Sequence, residues 1–90
     1  MSEDLINFGN TLAHELEAKA LELHVKSSAH ECFSWEAIGV RNRIESLKIS
    51  DTKSRSDIKY KDVEWGLEIK EYSPELSKAV AEFYRKFYIF

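Results

Sequence analysis

Ninety residues, 43% apolar and 32% charged with a formal net charge of −3, predict one domain over residues 1–90 with a thin core and exclude an extended disordered chain. The single cysteine, Cys32, excludes an intrachain disulfide framework, and no apolar run has the length of a spanning helix. The acidic opening MSEDLINFGN lacks the basic start of a secretory signal, so the expectation is a cytoplasmic protein.

The first predicted element is a helix over residues 3–26. Ser2 is placed to cap it, and Glu3 and Asp4 suit the positive end of its dipole. Leu5, Phe8, Leu12, Leu16, Ala20 and Leu23 recur at helical spacing, and Glu15–Lys19 and Glu22–Lys26 are spaced as supporting pairs. Gly9-Asn10 interrupts the pattern and predicts a separate or frayed first turn.

Residues 29–44 support two readings. Phe33, Trp35 and Ala37 alternate as on a strand. Phe33, Ala37, Val40, Ile44 and Leu47 also fit a helical stripe, with Ser28 and Glu31 spaced as a capping box. Gly39 and the β-branched Ile38 and Val40 weigh for the strand. IESLKIS (44–50) reads as a second strand and DTKSRS as the loop after it. Residues 63–72 form the third strand, where Val63, Trp65, Leu67 and Ile69 alternate with Glu64, Gly66, Glu68 and Lys70. The last element is a helix, with Ser73 as its cap, Pro74 at the first helical position and Glu75 in the first turn. Its C-terminal FYRKFYIF has five aromatics in eight residues. The predicted class is α+β, two helices on one face of a small antiparallel sheet in the order α-β-β-β-α, with α-α-β-β-α as the alternative.

Charge is segregated along the chain. Residues 1–40 hold seven acids against two bases, residues 41–61 seven bases against three acids, and residues 62–90 six acids against four bases. The basic segment contains Arg41, Arg43, Lys48, Lys53, Arg55, Lys59 and Lys61, with Tyr60 among them and Trp35 and Trp65 flanking. Cations for phosphate and rings for stacking are what a nucleic-acid surface uses. The predicted element order resembles the double-stranded-RNA-binding fold. The basic cluster that opens that family's last helix has no counterpart at Ser73-Pro74-Glu75. The bland origin of the same charges is a basic segment facing the acidic helices of its own fold.

The spacing Asp57…Glu68-x-Lys70 resembles the PD-(D/E)xK nuclease superfamily. The resemblance implies Asp57 and Glu68 as ligands of a divalent metal, Lys70 as the group orienting water, and Glu15 or Glu17 as the helical glutamate. Ser56 stands where that family has its proline. Strand alternation accounts for the same residues, because Glu64, Glu68 and Lys70 face water whenever their neighbours face the core. His14, His24, His30 and Cys32 lack the spaced set of four ligands that a structural zinc needs. Cys32 reads as a structural thiol rather than a nucleophile paired with His30. Gly9, Gly39 and Gly66 stand apart, so no phosphate loop forms.

The function these features imply is binding: a small non-enzymatic protein-interaction module, of the inhibitor or immunity-protein type, with no metal and no cofactor. Its partner is another protein or a second copy. The expected surfaces are the basic hairpin 41–61 and the C-terminal aromatics Phe87, Tyr88 and Phe90. Nucleic-acid binding through the basic hairpin is the alternative, and metal-dependent cleavage by Asp57, Glu68 and Lys70 the lesser one.

Overall fold

The computed structural model describes residues 2–23, 25–49 and 66–87. They form four helices: α1 (Ser2–Glu22), α2 (Ser28–Ile49), α3 (Leu67–Lys70) and α4 (Pro74–Phe87). Among the described residues there is no strand. The expected antiparallel sheet is therefore corrected to an all-α arrangement of two helical hairpins.

α1 forms along its apolar stripe, with Leu12, Ala13, Leu16 and Ala20 buried, but ends at Glu22 rather than at residue 26 as expected. It runs unbroken through Gly9, correcting the expectation of a separate first turn. The reason is tertiary. Gly9 lies where α1 crosses its neighbours, and a Cβ there would come within 2.7 Å of Phe83 Cε1 and 2.9 Å of Ile44 Cδ1. Close approach of three helices at this point outweighs the weak helical propensity of glycine.

α2 takes in both the 29–44 segment and residues 44–49, which correct from strands to one helix. Ala29, Phe33, Ala37, Val40, Ile44 and Leu47 recur at spacings of three and four and are all buried. Fully burying a side chain such as Phe33 or Ile44 stabilises the fold by about 1.5–3 kcal/mol, and only a helix puts all six on one side, since on a strand Val40 and Ile44 would face away from Phe33 and Ala37. The helix opens one residue earlier than the expected capping box. Ser27 Oγ accepts from the His30 backbone N–H at 3.1 Å. His30 Nδ1 donates to the Ala20 carbonyl at 2.7 Å, a second bond on an oxygen that already accepts from the Leu23 N–H at 3.1 Å, and ties the two helices at their turn.

The second hairpin replaces the C-terminal part of the predicted third strand; residues 63–65 lie outside the described residues. Gly66 has φ +80°, a left-handed conformation that glycine adopts without strain, and ends any extended run there. Ser77 Oγ on α4 donates to the Gly66 carbonyl at 2.7 Å, and Gly66 is so close to Ser77 that a Cβ would sit 2.6 Å from the Ser77 carbonyl oxygen. Leu67–Lys70 then coil into α3, which buries Ile69 and leaves Leu67 54% exposed. The Ser73-Pro74-Glu75 start of α4 is as its sequence predicts: Ser73 Oγ accepts from Leu76 N–H at 3.3 Å, and Ser77 N–H donates to the Ser73 carbonyl at 2.9 Å.

The core sits where α4 lies across the α1–α2 hairpin. Phe83 meets Phe8 edge-on with ring centroids 6.1 Å apart and stacks near Phe87 at 6.2 Å. Phe33 of α2 packs against Tyr72, which follows α3, at 6.3 Å. Among the described residues no helix is long and apolar enough to cross a membrane.

Candidate functional site

The basic residues expected at a binding surface that lie among the described residues all sit on α2, and each is engaged by its own fold. Arg41 forms a bidentate pair with Glu17 of α1, Nε to Oε2 at 2.5 Å and Nη2 to Oε1 at 2.8 Å. That hydrogen bonding holds the Glu17 carboxyl below its ordinary value. Arg43 lies 5.0 Å over the Tyr84 ring and donates to the Gly39 carbonyl at 3.3 Å. Lys48 pairs with Glu45 one turn back at 3.2 Å. Arg41 and Lys48, seven residues apart, share one side of the helix and are each paired with an acid, while Arg43 leaves from the far side. Lys53, Arg55, Lys59, Lys61, Tyr60 and Asp57 lie outside the described residues, as do Tyr88 and Phe90. Phe87 is 3% exposed and part of the core.

The Glu68-x-Lys70 pair sits on α3 instead of on a strand. On a strand the two side chains would share a face. In a helix, positions two apart diverge by roughly 200°, and the pair is split. Glu68 turns toward α2, where Cys32 Sγ donates to its Oε2 at 3.9 Å. Lys70 is exposed. Glu36, one turn along α2 from Cys32, faces the same place.

Cys32, Glu36 and Glu68 thus form a small acidic cluster across the α2–α3 junction. Burial, and then the Glu68 charge, push the Glu36 carboxyl above its ordinary value, while Arg43 pulls it back. Burial pushes the Cys32 thiol up, and the neighbouring Glu68 pushes it further, with Glu31 and Glu36 adding to it. A thiol held protonated in this way is a poor nucleophile. Among the described residues no three His, Cys, Asp or Glu side chains converge as a metal ion needs.

The feature that sequence reasoning missed is on the opposite side of α2. Trp35 and Ile38 lie one turn apart and are 62% and 56% exposed. They belong to a second repeat, Ser28, Glu31, Trp35, Ile38, Asn42 and Glu45, with alternating spacings of three and four. All six are exposed, so they form one outward stripe with two large apolar residues at its centre and polar residues at both ends. The signal was present in the sequence as a second apolar pair in helical register. It becomes visible only once residues 28–49 are read as a helix.

Comparison with known proteins finds no match among protein families, curated proteins or solved structures. The functional reading rests on these residues alone.

Proposed function

We propose that this protein acts through a protein–protein contact, with another protein or with a second copy of itself, and that the outward stripe of α2 is the contact surface. The observation that carries this reading is the exposure of Trp35 beside Ile38 at the middle of an otherwise polar stripe. A chain of this size has a thin core and has every energetic reason to bury a tryptophan. Tryptophan is also the residue that most often anchors a protein interface, where a ring of polar residues surrounds it. Glu31, Asn42 and Glu45 supply such a rim. An inhibitor or immunity-type binder uses a surface of this kind to occlude its partner. Arg41, Arg43 and Lys48 already answer to Glu17, Tyr84 and Glu45, which favours a protein partner over a nucleic acid.

The test places a photo-crosslinking residue at position 35 or 38, with a control at Lys78 on the exposed side of α4, in cells that make the protein. The expected result is a discrete adduct from 35 and 38 and none from 78. The captured protein, purified, then binds the Trp35→Ala chain at least about tenfold more weakly than the wild type. No adduct from either position, in a chain whose helical circular dichroism is intact, overturns the reading.

A further inference from the structure

We infer that the occupant of this stripe is a second copy of the same chain, docked antiparallel so that α2 packs on α2. The inference rests on the reading above and follows from the order of residues along the stripe. Alternating spacings of three and four are the geometry of helix pairs that pack side by side at a small crossing angle. A twofold axis passing between Trp35 and Ile38 sets position i of one copy against position 73 − i of the other. Trp35 then meets Ile38 of the second copy, Glu31 meets Asn42, and Ser28 meets Glu45.

Each layer is complementary. The two central layers join an aromatic ring to a branched aliphatic side chain, the combination that excludes water over most area. In the next layers the Asn42 amide, an N–H donor, faces the Glu31 carboxylate, an acceptor. In the outer layers the Ser28 hydroxyl faces the Glu45 carboxylate. No acid is opposed by another acid. The parallel arrangement fails this condition, because each residue then meets its own copy and Glu31 and Glu45 are both set against like charge. The antiparallel pairing also places the two tryptophans at the centre of the seam, where anchor residues belong. The stripe spans about 25 Å at 1.5 Å per residue, a narrow contact, so the dimer belongs at the weak end of specific interfaces and forms with rising concentration.

Sedimentation equilibrium of the full chain over a wide concentration range tests this. The wild type is expected to pass from monomer to dimer, and Trp35→Ala to weaken the dimer by more than about tenfold. Two substitutions on the exposed rim report the orientation without touching the core. Asn42→Lys sets a cation opposite Glu31 of the second copy, twice per dimer by symmetry, and should tighten association. Asn42→Glu sets an acid there and should weaken it. A dimer that Asn42→Lys weakens is parallel or uses another surface, and overturns the inference. A chain that stays monomeric while position 35 crosslinks to a different protein overturns the second-copy assignment and leaves the protein-binding reading standing. A chain with neither dimer nor adduct overturns both.

Discussion

The two faces of α2 carry similar residues under opposite circumstances. On the inner face Phe33, Val40 and Ile44 are removed from water by α1 and α4. On the outer face Trp35 and Ile38, as large and as apolar, remain in water. The inner set is irregular in size and matched to particular neighbours, with Gly9 admitting Ile44 and Phe83. The outer set is symmetric only in its spacing about its own midpoint, with complementary residues at the mirrored positions. The contrast teaches that apolar character alone does not assign a residue to the core. What separates the two sets is whether the chain itself supplies a complementary surface.

Substitutions should separate the faces by their effect on stability. The largest effect is expected for Phe33→Ala, which leaves a void under a fully buried ring and should cost about 3–5 kcal/mol in chemical denaturation. A loss below ~1 kcal/mol would mean the inner face is not packed as described. Gly9→Val comes next. Its added methyls meet Phe83 and Ile44 at the helix crossing, and overpacking of this kind costs about 1–3 kcal/mol; an unchanged midpoint would show that the helices do not approach there.

Glu36→Gln tests the flank between the faces through its pH dependence. The Glu36 carboxyl is raised above its ordinary 4.5 in the folded protein. Its contribution is fully present below that ordinary value and is lost as pH rises through the raised one. The Gln variant should therefore match the wild type in mild acid and melt at a higher temperature near neutrality. Glu17 has the opposite sign. Its lowered carboxyl contributes stability above the ordinary value that is lost as pH falls through the depressed one, so the two effects occupy different pH windows. A wild-type-minus-Gln difference that stays constant across pH would remove the carboxylate contact between α2 and α3. The smallest effect is expected for Trp35→Ala at a dilution where the chain is monomeric, within about 0.5 kcal/mol of wild type. A loss of several kcal/mol there would place Trp35 in the core and erase the distinction between the faces.

The same distinction explains what was legible in the sequence. α4 was legible because its signals are local: Ser73, Pro74 and Glu75 mark its start, and Val80, Phe83, Tyr84 and Phe87 share one side. α1 was legible by its single stripe. α2 was obscured because apolar residues lie on both sides of it. Phe33 and Ala37 point inward and Trp35 outward, and together they mimic the period of a strand. Leu67–Lys70 misled in the same way, since Leu67 and Ile69 alternate with charges although only Ile69 is buried. The sheet expected from these segments fails for that shared reason. The partners of the basic residues were not legible at all. Glu17 and Tyr84 are far from Arg41 and Arg43 in the chain, and only the packing of α1 and α4 on α2 brings them together.

The contact between Cys32 and Glu68 also makes the lone thiol a gauge. Alkylating reagents attack the thiolate, and this thiol is kept protonated and half-covered while α3 lies on α2. Moving α3 away would remove the Glu68 carboxylate and part of the burial, while Glu31 and Glu36 stay on α2 beside the sulfur. The labelling rate of Cys32 in the native protein therefore reports the cover that α3 and Glu68 lay over it, separately from global unfolding.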